Sequence, residues 1–233
     1  MRALKPATAV TPAANLIVAE SGERNWVSRG AHKLIGALDA FGVSPQGLRC
    51  LDAGASTGGF TEVLLDRGAR QIVAADVGYG QLAWSLRSDE RVVVLERTNV
   101  RELTAEAIGG PVDLVVADLS FISLSTVLPA LTACVSPQAD MVPMVKPQFE
   151  VGKERVGAGG VVSDPALRAD AVLTVAHRAA ELNWQTVNVT ASPLPGPSGN
   201  VEYFLHLRAA TGSPLTGSAL IDAVGRAVAE GPQ

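Results

Sequence analysis

The sequence predicts a doubly wound α/β fold whose seven-stranded sheet is mainly parallel with an antiparallel last strand. Three observations carry that expectation. Short apolar runs alternate with segments of helical period from residue 49 onward. Several of these runs, such as IVAAD and VDLVVAD, are almost continuously apolar, as strands are when helices cover both faces. The last two runs are joined by ASPLPGPSG, which is too short for a crossover helix and so makes that pair antiparallel.

The elements follow in order. Residues 1–22 are rich in Ala, Thr, Pro and Gly and show no sustained helical period, with one short strand expected at 15–19. Over 28–41, Ala31, Leu34, Ile35, Leu38 and Phe41 recur mostly at spacings of three and four, which describes an amphipathic helix. Gly42 and Pro45 stop it. Strands are expected at 49–53, 71–76, 92–96, 112–118, 140–146, 185–190 and 203–208. Helices are expected at 60–66, 79–86, 101–107, 123–134, 164–183 and 214–229. The final helix is amphipathic and reads as cover for the core.

A chain of 233 residues fits one large domain with a short appendage, or two small ones at most. Its 47% hydrophobic content supports a core, and 4% aromatic content makes that core mostly aliphatic. No apolar run approaches the roughly 18 residues of a membrane-spanning helix, and MRALKPATAV lacks the apolar stretch of a secretory signal. Cys50 and Cys134 lie inside apolar segments and read as reduced core residues of a cytosolic protein. Net charge is −4, unevenly spread: residues 1–50 carry six basic and three acidic groups, +3, against −7 on the remainder. A basic edge on an acidic body is compatible with RNA without demanding it. His177 and His206 have no second ligand at metal spacing, so no metal site is expected.

The first strand runs into a glycine-rich turn, Leu51-Asp52-Ala53-Gly54-Ala55-Ser56-Thr57-Gly58-Gly59-Phe60. A dinucleotide turn has the spacing G-x-G-x-x-G; here it is G-x-x-x-G-G, with Asp52 ahead of the first glycine. An acidic group there repels phosphate and suits a ligand with a positive sulfonium and a free amino group. That favours S-adenosylmethionine over a nicotinamide dinucleotide. Asp76 ends the second strand, 24 positions after Asp52, where a carboxylate can accept both hydroxyls of an adenosine ribose. Taken alone, such a residue is more often a solvated strand end. Val77 follows it, and Asn99, in the turn after the third strand, is placed near the adenine.

The fourth strand ends in Val116-Ala117-Asp118-Leu119-Ser120-Phe121, without the Asn/Asp-Pro-Pro-aromatic turn that presents a planar amine. Neither cysteine is placed for attack on a cytosine. What remains is Asp118, Lys146 closing the next strand (MVPMVKPQFE), Glu202 opening the last (GNVEYF) and Lys33 on the N-terminal helix. A lysine closing an apolar strand either snorkels or is pushed toward neutrality by desolvation, where it can take or orient the proton of a hydroxyl. Lys33 and the two carboxylates would then set the charge balance and positioning.

Together, SRGAHKL, LDAGASTGGFTEVLL, ADVGYGQL, VVADLSFISL, MVKPQFE and GNVEYF resemble the haemolysin A (TlyA) group of FtsJ-like 2′-O-ribose rRNA methyltransferases, over residues 24–208. The resemblance implies a Rossmann-like class I methyltransferase fold and catalytic Lys33, Asp118, Lys146 and Glu202. It implies S-adenosylmethionine held around Asp52, Gly54, Ser56, Gly58, Gly59 and Asp76, and Ala55, Phe60, Val77, Asn99 and Asp118 are further candidates to line the same site. The implied substrate is cytidine ribose in ribosomal RNA of both subunits. That group begins with an S4 RNA-binding domain, so residues 1–22 are expected to be its tail, 23–27 the linker and 28–233 the methyltransferase domain. Arg29, His32, Lys153 and Arg155 are candidates for RNA phosphate contacts. For His32 a plain helix surface competes, and for Lys153 and Arg155, in GKERVGAGGVV, a solvated loop. The other readings are a non-enzymatic RNA-binding protein, a small-molecule O-methyltransferase and a membrane-active haemolysin, for which no strongly cationic amphipathic helix is present.

Overall fold

The computed structural model describes residues 25–209 and 213–232. The strand expected at 15–19, and the S4 tail with the first two residues of the linker, lie outside the described residues. Seven strands form one sheet: β1 (Arg49–Ala53), β2 (Gln71–Ala75), β3 (Val92–Leu95), β4 (Val112–Ala117), β5 (Val135–Val145), β6 (Trp184–Ala191) and β7 (Tyr203–Ala209). Their order is β3-β2-β1-β4-β5-β7-β6. β1 to β5 run parallel, while β7 lies antiparallel between β5 and β6, as the short proline-rich connection requires.

The apolar runs serve two cores. Along β4, Val115 and Ala117 face a core completed by α4 (Leu124–Ala133), α6 (Pro165–Glu181) and α7 (Ser218–Glu230). Leu114 and Val116 face the opposite core, under α1 (Gly30–Phe41) and α2 (Gly59–Asp66). This period-two division is why a strand buried on both faces shows no polar alternation.

Two expected helices shrink. The segment 79–86 is helical only as α3, Trp84–Arg87. The amides before it are held elsewhere: Gly78 N donates to Asp76 at 2.7 Å and Gly80 N to Glu96 at 2.7 Å. The segment 101–107 is reduced to one 3-10 turn, Val100–Glu102. There Asn99 accepts from Arg101 N and Thr104 from Ala107 N, so side chains take donors that a helix would use. β5 starts at Val135, five residues before the expected start at 140, and the added segment pairs with β4 across a register irregularity between Val112 and Leu114. A further short helix, α5 (Pro147–Glu150), turns the chain directly after β5.

α1 ends at Gly42, whose left-handed backbone (φ 63°) lets its amide return to the last turn. Phe41 stacks on the His206 ring of β7 at a centroid distance of 5.3 Å. At the other end α1 meets the start of α2 through Gly59. A Cβ there would stand 2.1 Å from Ser28 Oγ and 3.1 Å from the Ala31 amide nitrogen. Gly59→Ala is therefore expected to lower stability by about 1–3 kcal/mol through overpacking. Adding Ser28→Ala should restore much of that in thermal melts. A single variant as stable as the parent would contradict this account of the α1–α2 junction.

Candidate active site

Two adjoining clefts open at the carboxyl ends of β1 and β4, where the strand order reverses and doubly wound sheets bind ligands. The first, about 580 Å³, is lined by Gly54, Ser56, Asp76, Val77, Asn99 and Asp118 among others. Its volume lies in the range of small-molecule sites. Asp76 is fixed by two amides, Ser56 N at 2.8 Å and Gly78 N at 2.7 Å, one on each carboxylate oxygen. Gly54 has φ 87°, and a Cβ there would lie 2.5 Å from the Asp118 carbonyl oxygen. Only glycine lets the turn after β1 pass so close to the end of β4.

The second cleft, about 350 Å³, is lined by Arg29, Lys33, Ala55, Gly59, Phe60 and Lys146, and shares Gly54, Ser56, Asp118 and Ser120 with the first. At this seam Lys146 Nζ lies 2.6 Å from Asp118 Oδ1 and donates a hydrogen bond to Ser120 Oγ at 3.0 Å. Lys33 Nζ, entering from α1, meets Glu202 Oε2 at 2.5 Å, with side-chain exposures of 7% and 1%. The four residues from four distant stretches of chain thus form two ion pairs at one place. Lys146 is a held donor rather than the isolated buried amine that its sequence position suggests.

Asp52 and Gly58 line neither cleft. A Cβ on Gly58 would stand 2.2 Å from Leu86 Cδ1, so this glycine serves packing of the turn. Asp52 is fully buried behind the turn and accepts from Thr61 Oγ1 at 2.6 Å, while its Oδ1 is unpartnered. Burial pushes its carboxyl up to about 7, against the Thr61 hydrogen bond. Burial also pushes the Cys50 thiol up to about 12, consistent with an inert core cysteine.

Of the candidate RNA contacts, Arg29 is exposed at the mouth of the second cleft, and His32 is exposed on α1. Lys153 is exposed in its loop. Arg155 is instead a strut of that loop, donating to the Val151 carbonyl at 2.6 Å and pairing with Asp170 at 3.1 Å. Sequence reasoning missed Ser120, Gln81 and Pro197, which line these clefts. Ser120 had a signal, two positions past Asp118 in the same strand-end turn. Among the described residues no cluster of three metal-ligating side chains occurs, and no helix is long and apolar enough to cross a membrane.

The Asp52 proton is held more tightly in the folded chain than at its ordinary value of 3.8, so raising pH through 7 costs stability. Asp52→Asn, which keeps an acceptor for Thr61, removes that cost. Its stability advantage over the parent should widen by about 2 kcal/mol between pH 5 and pH 8, read from melts at both. A gap that stays constant with pH would show that Asp52 ionises freely.

The comparisons agree with this geometry. Residues 26–209 match the family model described as FtsJ-like methyltransferase. The chain is 71% identical over 230 residues to the 16S/23S rRNA (cytidine-2′-O)-methyltransferase TlyA of Mycobacterium tuberculosis, covering 99% of this chain and 86% of that protein. It is 38% identical over 182 residues to the protein named Hemolysin A of Brachyspira hyodysenteriae, covering 78% and 76%. A solved Streptococcus thermophilus chain that carries the hemolysin name superimposes with a TM-score of 0.83 at 36% identity, covering 89% and 76%. With a family match over residues 26–209 and 71% identity to a relative along nearly the whole chain, the chain belongs to the FtsJ-like methyltransferase family.

Proposed function

We propose that this protein transfers a methyl group from S-adenosylmethionine to the ribose 2′-hydroxyl of cytidines in 16S and 23S ribosomal RNA, in the cytoplasm. The observation that carries the reading is the Lys146–Asp118 pair at the seam of the two clefts, with Lys33–Glu202 beside it. The substrate follows the M. tuberculosis relative, whose name specifies that reaction. Residues 28–233 are the catalytic unit in this reading.

The first cleft fits the cofactor. Asp76 sits at the end of β2 with both oxygens oriented by amides and lone pairs left for a ribose diol. Val77, 76% exposed, offers an apolar surface, and Asn99 lines the same cleft. Among the described residues Arg101 is the only cation lining this cleft, which suits a nucleoside better than a pyrophosphate. Asp52 acts from behind the turn in this reading, through the backbone it buries.

When bound, S-adenosylmethionine supplies an electrophilic methyl group on a sulfonium, whose positive charge is lost on transfer. Lys146 Nζ donates to the 2′-oxygen and aims its lone pair toward the first cleft. The Lys146–Asp118 pair takes the hydroxyl proton, so the proton arriving on the pair offsets the charge leaving the sulfonium. Lys33, fixed by Glu202, holds positive potential over the developing negative charge on the acceptor oxygen. Arg29, at the mouth of the second cleft, contacts a neighbouring phosphate and fixes register. The chemistry needs no covalent intermediate, so positioning dominates the rate.

Lys146→Ala is expected to lower methyl transfer from labelled S-adenosylmethionine to unmodified ribosomal subunits by at least about 100-fold. Cofactor affinity, measured by calorimetry, should stay within a few-fold. Transfer at the parent rate would remove Lys146 from the mechanism, and absence of transfer by the parent with cofactor bound would remove the reading itself.

A further inference from the structure

We propose that Glu150 is a positioning residue for the methyl-transfer pair, locking together the two strand-end loops that carry Asp118 and Lys146. The proposal rests on the methyltransferase reading above and gives a role to a residue outside the tetrad, the glutamate that closes the motif MVKPQFE.

β4 and β5 are parallel neighbours, and each hands the chain to a short loop at the active-site end of the sheet. Asp118 is the first residue past β4 and Lys146 the first past β5. Their charged groups meet only if the two loops run side by side, and rungs between the loops enforce that. The first is the 2.6 Å Lys146–Asp118 ion pair with the Lys146–Ser120 hydrogen bond. The second is the contact of Phe121 with Phe149, with ring centroids 5.3 Å apart. The third is Glu150: its Oε2 accepts from Ser123 Oγ at 2.6 Å and its Oε1 from the Leu124 amide at 2.7 Å.

That last rung is the one with chemistry fitted to hold. Ser123 is the N-cap of the ten-residue α4, accepting from Ser125 N at 3.1 Å, and so its hydroxyl proton is left to donate to Glu150. The Leu124 amide is one of the donors at a helix start that no intrahelical carbonyl satisfies. A carboxylate there is also favoured by the helix dipole. Glu150 therefore attaches the turn after Lys146 to the rigid end of α4, and α4 fixes where the loop from Asp118 must finish.

Within that loop Phe121 has φ 63°, a conformation that costs a bulky residue free energy and persists only where the surroundings impose it. Phe121 is 91% exposed, so beyond the one ring contact with Phe149 its own side chain does little to impose it. The rungs on either side do. Released at the Glu150 end, the loop can relax Phe121 and draw Asp118 and Ser120 out of line with Lys146.

The test compares Glu150→Ala and Glu150→Gln with the parent protein on unmodified ribosomal subunits, at saturating RNA and labelled S-adenosylmethionine. Rates are normalised to cofactor-binding sites, and thermal melts are recorded. Glu150→Ala should lower kcat by about tenfold or more, as misplacement of a reacting group does. Its KM for RNA should stay within about threefold, a split that loss of folded protein alone would not produce once sites are counted. Glu150→Gln keeps one acceptor oxygen of the same reach and should recover most of kcat. An unchanged kcat in both variants, or a fall confined to melting temperature or to KM, would overturn the role of Glu150 while leaving the methyltransferase reading in place. No transfer by the parent would remove the reading on which the proposal rests.

Discussion

Two ammonium groups and the Glu202 carboxylate have to be held out of bulk water, with the partly exposed Asp118 carboxylate beside them, and the architecture around them follows from that constraint. Taking a charge out of water costs several kcal/mol unless a partner and further hydrogen bonds compensate. Glu202, 1% exposed, is tolerable at the start of β7 only because Lys33 reaches it from α1. Lys146 is tolerable at the end of β5 because Asp118 and Ser120 stand opposite. Each pair joins residues far apart in sequence, so neither exists until the sheet and its first helix are assembled. Removing one partner would leave an uncompensated buried charge, which links the integrity of the site to that of the fold.

The sheet order supplies the meeting place. β1 and β4 are neighbours whose connections depart in opposite directions, so the turns after them diverge and leave a crevice. Gly54 lets the turn after β1 pass within van der Waals distance of the Asp118 backbone, and that close approach makes two clefts share a wall. One cleft presents Asp76 and Asn99, the other presents Arg29 and Lys33, and the Lys146–Asp118 pair lies where they join. A reaction in which one small group crosses from donor to acceptor needs that adjacency more than it needs strong acids or bases.

Much of this was legible in the chain itself. The runs LVVA and IVAA are apolar because both faces of the sheet are covered, and all seven expected strands are present, differing from expectation mainly at their ends. Lys146 and Asp118 stood out because charged groups at the ends of apolar strands call for an explanation. The segments 79–86 and 101–107 misled, since apolar spacing does not reveal that Asp76, Glu96, Asn99 and Thr104 claim the backbone donors. Asp52 was legible as an unusual acidic residue, but not as one facing Thr61 inside the protein, because strand periodicity cannot say which face a fully buried strand turns to a ligand. Glu150 was silent for a simpler reason: its role depends on how two loops lie against each other.

The central claim is that the paired set methylates a ribose oxygen rather than a base. The most direct measurement is to react the purified protein with S-adenosylmethionine and unmodified ribosomal subunits, digest the RNA to nucleosides and locate the new methyl group by mass spectrometry. The account predicts 2′-O-methylcytidine, with the added mass on the sugar fragment. A methyl group on the base fragment, or on no nucleoside at all, would contradict it.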